Sequence, residues 1–255
     1  MNRQKPSDTA LLLVGHGTRD PRGQAEFLEL ARLAAERLPE LPVGPAFLEL
    51  ADPPIKSAID ELLATSPVKR LLVLPLLLFA AGHAKRDIPN AVAAAMARHP
   101  EVECRQLPHL GTHRAVAELS ARRMKEALAG APDLEPGATL GLMVGRGSYD
   151  PEAQAEWRAF VARRQELTPE IGLESCFLAM ASPTPEELLP VLLGGGWRRF
   201  VWQPHLLFQG ELSDRVKAFA NRLASEEPGR DWRATAHLGP EPSLAEAIAE
   251  IARNA

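Results

Sequence analysis

Cysteine is almost missing from this chain, and aromatic residues are scarce. The two cysteines among 255 residues, Cys104 and Cys176, lie far apart. They offer no close pair to grip a zinc ion and cannot build a disulfide framework. Reduced core residues of a cytoplasmic protein are the expectation. Aromatic residues make up 5% of the chain, so aliphatic side chains and alanine must fill the core. No long apolar run is present. The longest, residues 71–82, falls well short of the roughly 20 residues that cross a bilayer. The opening MNRQKPSDTA is polar and the LLLV after it is too short for a signal peptide. A net charge of -4 gives no basic surface for nucleic acid. These absences predict a soluble, cytoplasmic protein with neither a nucleic-acid nor a membrane partner, and a monomer is expected.

What is present is an apolar content of 45%, arranged as short buried runs alternating with helical patterns. Residues 10–15 read as a strand ending in glycine. Asp20 and Pro21 then supply the cap and first residue of a helix reaching about Leu38. Residues 43–48 form a second strand, and Asp52 with Pro53 predicts another capped start for a helix to about Ala64. Residues 68–77 form a third strand, followed by a helix over about 84–97. Residues 102–107 and about 113–129 make a fourth strand–helix pair.

The chain then repeats itself. LLLVGHGTRDPRGQAEF returns as LGLMVGRGSYDPEAQAEW, FLEL as FLAM, LPLLLFAAGH as QPHLLFQGE, and PHLG as AHLG, at a near-constant offset of about 130 positions. A period this long marks a duplicated domain, not a solenoid. Residues 131–138, APDLEPGA, read as the linker. The expected fold is α/β: two tandem domains, 1–130 and 138–255, each a four-stranded parallel sheet with helices on both faces. The compact solution sets the first strand between the second and third, and ligands bind beyond the carboxyl ends of such strands.

Three residues fall on that edge of the first half. His16 follows strand one between Gly15 and Gly17, Glu49 closes the run AFLEL, and His83 follows strand three after Gly82. Each has a bland reading: a surface histidine in a tight turn, a histidine capping a helix, and a carboxylate partly buried against a structural Lys or Arg. Together, two imidazoles and a carboxylate with an open side suit a first-row divalent metal, and imidazole can also act as a base near neutral pH. The second half has lost the set. Arg146 stands for His16, Ala179 for Glu49 and Glu211 for His83. Basic residues Arg19, Arg22, Lys85 and Arg86 gather in the first half, with Arg146 and Arg215 in the second. They read either as a solvated surface or as partners for a polycarboxylate. His205 reads as a core histidine or a weaker functional candidate. His109 and His237, present in both halves, read as structural.

GHGTRDPRGQAEF, FLELADPP and LPLLLFAAGHAKRDIP, taken together, resemble the sirohydrochlorin chelatases of the class II chelatase superfamily. The resemblance covers the first half closely and the second in pattern. It implies a lyase that inserts Co²⁺ or Fe²⁺ into sirohydrochlorin without ATP, on the way to cobalamin or sirohaem. The metal is a substrate and no cofactor is permanently bound. It further implies that His16 and His83 are the metal-site histidines, that Glu49 is the glutamate used by some members, and that the basic residues meet the macrocycle's carboxylates. Two other readings stand beside it: a non-catalytic metal or tetrapyrrole carrier, and a histidine phosphatase. Gly15 disfavours the second, because those enzymes carry arginine before the histidine.

Overall fold

The computed structural model describes residues 8–65, 67–79 and 82–255, the side chains of 82–84 excepted. The first sheet contains β1 (Thr9–Gly15), β2 (Val43–Phe47), β3 (Arg70–Pro75) and β4 (Glu103–Gln106), all parallel and ordered β2-β1-β3-β4. β1 is the centre because it is apolar on both faces. Ala10 through Val14 are completely buried, as a strand covered by helices on both sides must be. In register, Gly15 lies opposite Phe47 and Val14 opposite Pro75, so the carboxyl ends of β1, β2 and β3 are level.

The helices between these strands are α1 (Pro21–Arg37), α2 (Ile55–Ala64) and α3 (Gly82–Met96). α1 starts as its sequence demands. The Asp20 carboxylate accepts the Arg22 backbone N–H at 2.9 Å, Pro21 occupies the first turn, and Phe27, Leu30, Ala31 and Ala34 turn inward. The expected start of α2 is corrected. Pro54, not Asp52, is its N-cap residue, and it supplies no side-chain hydrogen bond. The Asp52–Pro53 bond is cis, and the Pro53 carbonyl accepts the Phe47 N–H at 2.9 Å. Asp52 therefore belongs to a turn that folds back on β2. Cys104 is also corrected. It is exposed, while Cys176 is buried, because β4 is an edge strand whose four residues are all exposed.

The second sheet repeats the first. β5 (Thr139–Gly145), β6 (Gly172–Phe177), β7 (Arg199–Pro204) and β8 (Asp231–Ala234) run parallel in the order β6-β5-β7-β8. α5 (Pro151–Glu166), α6 (Pro185–Gly194) and α7 (Glu211–Glu226) connect them. Even the cap of α1 is copied. Asp150 accepts the Glu152 N–H at 2.9 Å, and Gln154 reaches back to the Ser148 carbonyl as Gln24 does to Thr18.

The last helix of each half, α4 (Arg114–Leu128) and α8 (Pro242–Arg253), departs from this symmetry. The chain divides into one compact unit of Met1–His113 with Pro240–Ala255 and a second of Arg114–Gly239. α8 thus packs in the first unit, where α1 is its principal neighbour. Its Arg253 and the Arg37 carbonyl are hydrogen-bonded, and Glu250 meets His113 at 3.1 Å. α4 packs in the second unit against α5 and β7. There Arg164 is completely buried. It donates to the Ser120 and Thr168 hydroxyls at 2.9 and 2.7 Å, and Gln203 donates to the Ser120 carbonyl at 2.7 Å. Burial pushes the Arg164 guanidinium down to about 10, and neutral hydrogen-bond acceptors hold it. The repeat in the sequence and the compact unit in space therefore differ by one helix each.

Candidate functional site

Beyond the last residues of β1 and β2 the two chains stay paired. The Leu48 N–H donates to the Gly15 carbonyl at 2.9 Å and the Glu49 N–H to the His16 carbonyl at 3.0 Å. Gly17 permits this approach. It has φ +98°, and a Cβ placed on it would stand 1.7 Å from the Glu49 carbonyl oxygen. Beneath the corner the rings of Phe27 and Phe47 pack with centroids 4.4 Å apart, and Gly15 leaves room for Phe27.

This backbone brings two of the three sequence candidates together. His16 Nε2 stands 3.6 Å from Glu49 Oε1, with side chains 36% and 55% exposed. The expectation that Glu49 is partly buried is corrected. β2 ends at Phe47, so Glu49 lies in the bend after it and faces solvent. Backbone pairing, not burial, holds it beside His16. The separation suits a shared ion: two donors each about 2.1 Å from one metal and 3.6 Å apart subtend about 120° at it. It also suits proton exchange between imidazole and carboxylate through one water. His83 falls in the first turn of α3, and its side chain lies outside the described residues. Among the described residues no group of three His, Cys, Asp or Glu converges as a metal site.

The basic candidates separate. Arg22 is engaged by the cap residue of its own helix, with Nη2 2.7 Å from Asp20 Oδ2. That hydrogen bond holds the Asp20 carboxyl below the usual range. Arg19, Arg86 and Arg146 are exposed and Lys85 is half-buried.

The second unit keeps the backbone of the corner and lacks its imidazole–carboxylate pair. The Ala179 N–H donates to the Arg146 carbonyl at 2.9 Å. Gly147 has φ +91°, with an added Cβ 1.7 Å from the Ala179 carbonyl oxygen. Arg146 and Ala179 hold the places of His16 and Glu49, and Glu211 opens α7 where His83 lies near the start of α3. Other histidines lie in different surroundings. His205 is buried between Phe160 and Trp157, ring centroids 4.2 and 5.5 Å away. Burial, with Arg164 nearby, pushes it down to about 3, so it stays neutral. His109 Nδ1 meets the Leu77 carbonyl at 3.3 Å, and His99 pairs with Asp60 at 2.9 Å.

Sequence reasoning missed one feature of the corner. Leu50, next to Glu49, has φ +64°, and Met180 in the second unit has φ +56°. Such left-handed backbone costs a side-chain-bearing residue roughly 1–2 kcal/mol. The signal available was the repeated bend FLELADPP/FLAMASPT, which names the place but not the dihedral.

Two α/β units, each built on a four-stranded parallel sheet, one with an imidazole–carboxylate pair beyond its central strands and the other with arginine and alanine in those places, define a duplicated α/β protein. The chain belongs to the CbiX family, whose model matches residues 10–127 and again 140–255. It is 27% identical to a sirohydrochlorin cobaltochelatase of Priestia megaterium over 95% of this chain and 78% of that protein. It is 30% identical to a sirohydrochlorin ferrochelatase of Bacillus subtilis over 86% of this chain and 82% of that one. The solved structure of SirB from Bacillus subtilis with Fe³⁺ superposes with a TM-score of 0.84 at 26% identity, covering 96% of this chain and 94% of SirB.

Proposed function

We propose that this chain is a sirohydrochlorin chelatase, a lyase of tetrapyrrole biosynthesis that passes a divalent metal through the His16–Glu49 corner into the macrocycle. The 3.6 Å approach of imidazole and carboxylate at the carboxyl edge of the first sheet carries this reading. The reaction exchanges M²⁺ for the two pyrrole N–H protons, so two protons must leave as the metal bonds to the four ring nitrogens. Neutral His16 can hold the metal through Nε2 or accept one of those protons. Glu49 balances the charge of the metal or of the imidazolium. His83 is the further donor expected from its place after β3. An open, solvent-facing pair fits an ion that must be surrendered, where a closed four-ligand cage would retain it.

Arg19, Lys85 and Arg86 are proposed to meet the substrate's carboxylates. Arg22 makes a weaker candidate because Asp20 already holds it. The metal is cobalt or iron, as in the two named relatives, and it is substrate, not resident cofactor. The enzyme acts as a cytoplasmic monomer. Among the described residues, no helix is long and apolar enough to cross a membrane.

An anaerobic spectrophotometric assay with sirohydrochlorin and Co²⁺, repeated with Fe²⁺ and Ni²⁺, tests the reading. His16→Ala and His83→Ala should each lower the insertion rate by about 10²–10⁴-fold, the range of a lost general base, without lowering the melting temperature. Glu49→Gln should cost rate even at saturating metal. Arg146→Ala and Ala179→Glu should change turnover far less. Stoichiometric binding of metal and macrocycle without turnover would make the protein a carrier. Wild-type rates in both histidine variants would remove the chelatase assignment of this corner.

A further inference from the structure

Leu50 stands beside Glu49 in a conformation that the fold does not require of a leucine. Its φ of +64° lies in the left-handed region that glycine or asparagine enters more easily. Burial offers no compensation, because the residue is 44% exposed. Its position is nevertheless defined. The Glu49 N–H is bound to the His16 carbonyl, and three residues beyond Leu50 the Pro53 carbonyl is bound to the Phe47 N–H. The second unit repeats the arrangement with Met180 at φ +56°, even though the metal-capable side chains there have become Arg146 and Ala179. If the bend needed only its dihedral, glycine would serve in both units. Both carry a large, flexible apolar side chain instead. Strain held at the rim of a site is a pointer to function, and the exposed apolar side chain carried there suits a ligand with an apolar face.

We propose that Leu50 is a substrate-contact residue: its exposed isobutyl group packs on the face of the tetrapyrrole and holds the ring against the His16–Glu49 pair. The macrocycle presents conjugated, largely apolar faces around its four central nitrogens, with its carboxylates at the periphery. A non-polar contact beside the metal donors can therefore fix ring position without competing for the ion. This rests on the reading of the corner as the place where metal meets macrocycle.

The test separates ring binding from metal chemistry. The Kd of metal-free sirohydrochlorin would be measured by quenching of its fluorescence, and KM and kcat by Co²⁺ insertion, for Leu50→Gly, Leu50→Asn and Leu50→Met. Glycine and asparagine relieve the backbone and should melt no lower than wild type. They should raise Kd and KM about tenfold, the effect of withdrawing roughly half of a leucine side chain from apolar contact, with kcat at saturation within about twofold. Methionine, which retains the apolar reach, should stay near wild type. Unchanged Kd and KM in both the glycine and asparagine variants would overturn the contact, as would a lowered melting temperature with unchanged Kd, which would make Leu50 structural. His16→Ala in the same assays is read separately. Wild-type insertion by that variant overturns the chemistry assigned to the corner, whereas the metal-free Kd of Leu50→Gly judges the leucine alone.

Discussion

Gly17→Ala and Gly147→Ala form a matched pair, because the duplicated fold supplies its own control. At both positions the φ angle is left-handed, and at both an added Cβ would lie 1.7 Å from a carbonyl oxygen, that of Glu49 or of Ala179. The alanine must therefore push two backbone segments apart. Left-handed backbone costs alanine roughly 1–2 kcal/mol, and forced repacking adds about 1–3 kcal/mol. Each variant should lose some 2–5 kcal/mol, a sizeable share of the roughly 5–15 kcal/mol that holds a domain together. Activity should respond unequally. In Gly17→Ala the hydrogen bond from the Glu49 N–H to the His16 carbonyl is strained or lost, and the 3.6 Å pair opens with it. In Gly147→Ala the same distortion falls on Arg146 and Ala179, which hold no metal donors. Urea melts should give similar losses for the two proteins. Co²⁺ insertion per folded molecule, measured well below both melts, should fall about 10²-fold or more in Gly17→Ala and little in Gly147→Ala. A folded Gly17→Ala protein with a wild-type rate would refute the corner as the seat of the chemistry. Equal activity losses would mean that both loops take part.

Two further predictions concern the scaffold. His205 is neutral and buried, pushed down to about 3 by burial and by Arg164, while the unfolded chain protonates it near 6.5. The unfolded state thus binds the extra proton, so stability is complete above about pH 6.5. It falls by up to about 1.4 kcal/mol per unit between about pH 6.5 and 3. Urea melts across that range should show this slope, and His205→Phe should flatten it; an unchanged slope would remove His205 as its source. Leu244→Ala and Ile248→Ala, both in α8 and completely buried, should each destabilise the first unit by about 2–5 kcal/mol. Hydrogen exchange should show β1 and β3 losing protection and β5 and β7 keeping it, and the reverse pattern would contradict the exchange of last helices.

Much of the fold was legible because its signals are local. The run LLLVG is too apolar to be anything but a central parallel strand, Asp20–Pro21 and Asp150–Pro151 announce helix starts, and the copied motifs reveal the duplication. The strand order around β1 followed from short right-handed connections. The site was legible in part. His16 and Glu49 were found because both follow strand ends that a parallel sheet must align. The burial assigned to Glu49 failed because the strand stops at Phe47, two residues before Glu49. The supposed cap at Asp52 failed because the residues around Pro53 turn back to β2 before α2 begins.

Residue type and order by themselves determined the two α/β halves, the loss of metal donors from the second, and the edge on which the first half's candidates lie. Each of these depends on contacts between near neighbours in sequence or on a repeat that can be read directly. Tertiary structure alone decided three other things: the closeness of His16 to Glu49, the left-handed bend at Leu50, and the last helix of each compact unit. The first two arise where separate loops meet and a glycine hydrogen takes the space of a methyl group. The third arises because α4 and α8 are both alanine-rich amphipathic helices that any helix-and-sheet surface of the right shape could bury. Nothing in such a pattern names its partner, so the choice is made by which surface lies within reach once the sheets have formed.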